Sequence, residues 1–145
     1  MLSSNDFFDV LADATRRRIL ALLLAEEELS VAEIAHAIDC SQPKTSRHLA
    51  KLRDARITQV RRDRVWKYYR LQPQLPAWAF HLLQVMVQSS ELSTRLNSDM
   101  IRLSAMADRP ESRVLRRPER LSMVEPGVPA LSVVAPGEPG RATSR

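Results

Sequence analysis

Residues 41–71, SQPKTSRHLAKLRDARITQVRRDRVWKYYRL, constrain this chain more than any other stretch. Ser41 is a good helix N-cap, and Pro43 falls in the first helical turn, where no N–H is needed. From there Thr45, His48, Leu49 and Leu52 recur on one helical face, leaving Gln42, Lys44, Ser46, Arg47 and Lys51 outside. Upstream, Ser30 and Glu33 have capping-box spacing and open a helix over Val31–Ile38. Asp39-Cys40-Ser41 is then a short turn between two helices, the second with a polar outer face: a helix-turn-helix. Ile57–Val60 and Val65–Leu71 follow as β-branched and aromatic strands around Arg61-Arg62-Asp63-Arg64. That is a hairpin, with Asp63 the tip residue best suited to a left-handed conformation.

Charge is concentrated on the same unit. Residues 41–70 hold ten Lys/Arg against two acids, whereas residues 1–40 hold three Arg against eight acids. A chain of net charge +5 has thus gathered its positive charge on one helix and one hairpin, the footprint of a nucleic-acid binder. The partner expected is double-stranded DNA, because an α-helix fits the major groove and side chains near its N-terminus reach base edges. Gln42 suits an adenine edge and Arg47 a guanine edge, while Ser41, Thr45 or Ser46 can contact phosphate or base. Lys44 and Lys51 are expected on the DNA backbone. Arg61, Arg62 and Arg64 at the hairpin tip, with Lys67 beside them, are expected on the flanking phosphates or the adjacent minor groove.

The remaining elements are helical. Asp6–Ala12 has Phe7, Val10 and Leu11 on one face, and a strongly apolar helix restarts at Asp13 or Thr15. After Pro76, Trp78, Leu82, Val85, Leu92, Leu96, Met100 and Leu103 recur at spacings of three and four, predicting one helix of about 30 residues, or roughly 45 Å. A helix that long exceeds what a small domain needs, so its stripe is expected to pair with a second copy. The fold class is mainly α with a small β-hairpin, a winged helix-turn-helix with a long C-terminal dimerisation helix. Its domain spans 1–107. All three Gly and six of nine Pro lie beyond residue 108, so 108–145 is expected to be a flexible tail. No apolar run approaches the roughly 18 residues of a membrane span, and the N-terminus lacks a signal-peptide pattern. A cytoplasmic location without membrane contact follows as the expectation.

SQPKTSRHLAKLR, then VWKYYRL followed by PQLPAW, resembles the ArsR family of small winged-helix repressors, over about Phe7–Met106. It is closest to the branch controlling arsenic-resistance operons. The resemblance implies a homodimer paired through the first and last helices, operator binding without inducer, and release by a small-molecule or metalloid inducer. It places Ser41, Gln42, Lys44, Ser46 and Arg47 at the family's DNA-reading positions and Arg61–Arg64 in its wing.

Where the arsenic branch usually carries Cys-Val-Cys, this chain has Ser30-Val31-Ala32. The alternative cysteine pair in or after the last helix is missing too. Trivalent arsenic is soft and wants two or three thiolates. Cys40 is the one cysteine, and in a dimer its two copies would lie about a DNA turn apart, roughly 34 Å. His81 has Gln84 and Val85 at the positions where a second ligand would stand. No metal site and no cofactor is expected. The inducer is left open between an organic ligand at the dimer interface and none. An arsenical or antimonial sensor with unconventional ligands is the alternative, and a protein-interaction module that has lost DNA binding is the reading from another class. The abundant basic residues oppose the latter. Nothing marks an enzyme: there is no phosphate-binding glycine loop and no nucleophile–base motif.

Overall fold

The computed structural model describes residues 1–109, so all of the expected tail but Asp108 and Arg109 lies outside the described residues. The order is α1 (Ser4–Leu11), α2 (Ala14–Glu26), β1 (Glu28–Ser30), α3 (Val31–Ile38), α4 (Gln42–Asp54), β2 (Thr58–Asp63), β3 (Trp66–Leu71), α5 (Ala77–Val87) and α6 (Ser90–Ser104). Local chemistry sets most of the joints. Asp13 caps α2 by accepting from the Arg16 amide at 3.0 Å. Arg16 and Arg17 turn back to donate to the Val10 and Leu11 carbonyls, satisfying the end of α1. The capping box at α3 is complete: the Ser30 hydroxyl accepts from the Glu33 amide, and Glu33 accepts from the Ser30 amide. Asp39 then leaves α3 in the left-handed region, φ 53°, and the chain re-enters helix at Ser41.

The interior is one cluster centred on α2, whose Ile19, Leu20, Leu22 and Leu23 are enclosed by Phe7, Leu29, Ile34, Leu49, Leu52, Leu83 and Leu103. Against it, α6 packs on both α2 and α3. The sheet has three antiparallel strands in the order β1-β3-β2, with Leu29 opposite Tyr69 and Val60 opposite the same residue on the other side. The sequence pattern shows two of these strands. The third, β1, is three fully buried residues with no alternation to mark it.

The structure corrects the expected long C-terminal helix: residues 77–104 form two helices, broken at Gln88-Ser89. Ser89 acts as a new N-cap, its hydroxyl accepting from the Leu92 amide at 3.4 Å, with Glu91 in the first turn. The apolar spacing of three and four runs through the break, so periodicity alone concealed it. A second correction follows from the packing of α6 on its own chain. Phe7, Val10, Leu92 and Leu103, expected to meet a second copy, are buried in the chain's own core. Leu11, Leu96 and Met100 are half-buried against it. Trp78, Leu82 and Val85 are exposed, joined by Phe8, which the pattern had not singled out. The Phe8 and Trp78 rings both lie edge-on to Phe7, at 5.7 and 5.1 Å between centroids.

One buried charge holds three helices together. Asp99 on α6 is fully enclosed and accepts from Nε and Nη2 of Arg18 on α2, at 3.0 and 2.7 Å, and from Arg102 one turn further along. The same arginines donate onward to α3: Arg18 to the Ile38 carbonyl and Arg102 to the Ala37 carbonyl, at 3.0 and 2.7 Å. The last turn of α3, directly before the helix-turn-helix turn, is thereby capped by two cations neutralised from α6. Removing one partner of a buried pair leaves an uncompensated charge, so Asp99→Ala is expected to lower stability by about 3–5 kcal/mol. Urea denaturation of this variant measures it, and a loss below about 1 kcal/mol, the level of an exposed pair, would contradict the role assigned to Asp99.

Candidate nucleic-acid interface

The N-terminal half of α4 carries the candidate reading residues. Ser41 caps it, accepting from the Lys44 amide at 3.4 Å, and Pro43 occupies the first turn. Ser41, Gln42, Lys44, Ser46, Arg47 and Lys51 are all exposed. Thr45 is not: it is 0% exposed, and its hydroxyl donates to the Ser41 carbonyl at 2.9 Å. Its methyl belongs to the interior and its hydroxyl is spent on the helix, so the expected DNA contact is corrected to a core and capping role. On the inner edge, His48 Nδ1 stands 3.8 Å from the Asp13 carboxylate that caps α2. Burial alone would raise the Asp13 carboxyl, but the Arg16 amide, the charges of His48 and Arg16, and the Thr15 amide outweigh it. The group is held below its ordinary 3.8 and stays a carboxylate beside α4.

The hairpin differs from expectation at its tip. The strands run further than Val60 and meet at Asp63 opposite Trp66, leaving Arg64-Val65 as a two-residue turn. The left-handed residue is Arg64, φ 57°, not Asp63. Asp63 instead lies in β2, where its carboxylate faces Arg61 at 3.5 Å. Arg61 is accordingly a strand residue and not a tip residue. Its guanidinium bonds Glu28 of β1 at 2.7 Å and sits 4.7 Å above the Tyr68 ring centroid. Arg62, Arg64 and Lys67 are exposed. Among the described residues, no ion pair engages Lys44, Arg47, Lys51, Arg62, Arg64 or Lys67.

The end of α3 where arsenic-branch thiols are expected is filled differently. Ser30 is almost fully buried and both its amide and hydroxyl are committed to Glu33. Glu33 also accepts from Arg109 at 2.8 Å, so a residue assigned to the tail is fixed on the body. Among the described residues no three His, Cys, Asp or Glu side chains gather as metal ligands. Cys40, half-buried, is the chain's one thiol. These residues do not fit a trivalent metalloid held by thiolates.

Helix-turn-helix, wing and exposed basic residues define a winged-helix DNA-binding protein. The model of the bacterial regulatory proteins of the arsR family matches residues 13–59, from the cap of α2 into β2. "Arsenic resistance transcriptional regulator ArsR1" of Pseudomonas putida is 46% identical over 107 residues, covering 74% of this chain and 82% of that one. Two solved structures share the fold at 26% and 25% identity: HlyU from Vibrio cholerae N16961, TM-score 0.53, covering 59% of this chain and 88% of HlyU, and the AntR antimony-specific transcriptional repressor, TM-score 0.52, covering 66% and 88%. The chain belongs to the arsR family and is a DNA-binding transcriptional regulator, not an enzyme. No helix among the described residues is long and apolar enough to cross a membrane.

Two substitutions separate reading from anchoring. Arg47→Ala is expected to cost about 1–3 kcal/mol on the best site and to relax selectivity at the base it reads. Arg62→Ala is expected to weaken all sequences alike and to reduce the salt slope of binding by about one unit. Anisotropy titrations on matched and scrambled duplexes check both, and equal loss of selectivity in the two variants would refute the division.

Proposed function

We propose that the chain is a cytoplasmic, homodimeric repressor that binds an inverted-repeat operator, reading bases with α4 and gripping flanking phosphates with the β2–β3 wing. The carrying observation is how the arginines and lysines divide. In the body, Arg16, Arg17, Arg18, Arg102 and Arg109 are bound to carbonyls or carboxylates of their own chain. On α4 and the wing, Lys44, Arg47, Lys51, Arg62, Arg64 and Lys67 are exposed and free of ion pairs among the described residues. Such a surface supports binding of a polyanion whose affinity falls steeply with salt. Trp78, Leu82, Val85 and Phe8 supply the apolar face for a second copy, and dimer symmetry would set half-sites about one helical turn apart, roughly 34 Å.

Release from the operator does not use the arsenic branch's thiolates, because Ser30 and Ala32 stand in their place. The 46% identity to an arsenic resistance regulator favours a second reading, in which an arsenical or antimonial still acts through other ligands. Fluorescence anisotropy on the DNA upstream of the chain's own gene, with and without arsenite, separates the two. Tight, salt-sensitive binding indifferent to arsenite is expected; release by arsenite would favour the second reading, with Cys40→Ser locating the ligand. No binding at moderate salt would refute the proposal. Sedimentation of Val85→Glu is expected to show a monomer with weakened operator binding, and an unaltered dimer would remove this face from the interface.

A further inference from the structure

We infer that Glu28 and Arg61 form a brace that orients the wing, with Arg61 a positioning residue and not a phosphate contact. The inference rests on the reading of the wing as a DNA-gripping element. Glu28 lies in β1 and Arg61 in β2, the two outer strands of the sheet, with β3 between them. Their side chains meet with two bonds, Arg61 Nη2 to Glu28 Oε1 at 2.7 Å and Nε to Oε2 at 3.4 Å. The guanidinium rests on the ring of Tyr68, its cross-strand partner in β3. The bridge thus crosses the whole sheet and clamps a central-strand aromatic beneath it.

β1 is the fixed end of this brace. It leaves α2 after Glu27, and its last residue, Ser30, is also the cap of α3, so its position is that of the helix-turn-helix body. A two-stranded hairpin is marginal alone, and β1 pairs with only three residues of β3. The Glu28–Arg61 pair adds a charged link to the strand that is otherwise the sheet's far edge, with the Glu28 side chain 5% exposed and the Arg61 side chain 38%.

Charge balance argues the same way. The Arg61 guanidinium faces two carboxylates, Glu28 at 2.7 Å and Asp63 at 3.5 Å, whose charges offset its own attraction for a phosphate. Turning it to DNA would strand the enclosed Glu28 carboxylate without its partner. Its neighbour Arg62 points to the opposite face of the strand, is exposed, and meets no carboxylate among the described residues.

The test compares log affinity against log salt for the full chain on the duplex from upstream of its own gene. Arg61→Ala and Arg61→Lys are expected to weaken binding several-fold at an unchanged slope. Arg62→Ala lowers the slope by about one unit. Glu28→Gln removes a negative charge near DNA, which by simple attraction tightens binding; the brace predicts several-fold weaker binding and faster amide exchange in β2 and β3. Tighter binding by Glu28→Gln, or a slope reduced by about one in Arg61→Ala, overturns the brace. Should Glu28→Gln fail to fold, the two Arg61 variants decide alone. An unchanged slope in Arg62→Ala overturns the wing reading itself, an outcome separate from the behaviour of Arg61.

Discussion

The fully enclosed Asp99 carboxylate is the constraint on which the arrangement of this regulator depends. It neutralises Arg18 and Arg102, and those two cations cap the last carbonyls of α3. The end of α3 sets where the Asp39–Ser41 turn begins, and hence where α4 starts. Through one carboxylate, α6 is connected to the helix that presents Gln42 and Arg47. A buried ionic cluster adds little net stability over apolar packing, but it defines one geometry, because every member has a specified partner. Here that geometry is the placement of α4 relative to α2 and α6.

The same principle separates the arginines into two populations. Those that build the fold are saturated by carbonyls and carboxylates, and Arg61 on β2 belongs with them. Arg47 on α4 and Arg62 and Arg64 of the hairpin are exposed and enter no ion pair among the described residues, whereas Arg53, also on α4, pairs with Asp54. A count of basic residues places Arg61 with Arg62 and Arg64, and the structure separates them: strand alternation puts adjacent residues on opposite faces, one toward Glu28 and one toward solvent.

Much of the fold was legible because its signals are local. The Ser30–Glu33 capping box and the Ser41 cap marked the boundaries of α3 and α4, and both helices begin where those residues place them. The exposure of Gln42, Lys44, Ser46, Arg47 and Lys51 followed from the 3.6-residue period. Features that depend on distant partners were not legible. β1 has no pattern of its own and exists because β3 pairs with it. Thr45 is the exception: its helical phase, shared with Leu49 and Leu52, already turned it inward, and only its chemistry placed it among the DNA contacts. The Ser89 cap was hidden by an apolar rhythm that continues across it, and within the α6 stripe, read as a dimer seam, Leu92 and Leu103 are buried in the chain's own core. At Arg64 a non-glycine residue takes the left-handed turn, so the residue type pointed to Asp63.

In this arsR-family chain the entrance of α3 is closed by Ser30, Glu33 and Arg109, and Cys40 is the one thiol. Hydroxyl-radical footprinting of the full chain on the DNA upstream of its gene tests the central claim most directly. Two symmetric protected segments about one helical turn apart are expected, each flanked by weaker protection that disappears in Arg62→Ala. A single protected segment, or a footprint that Arg62→Ala leaves whole, would contradict it.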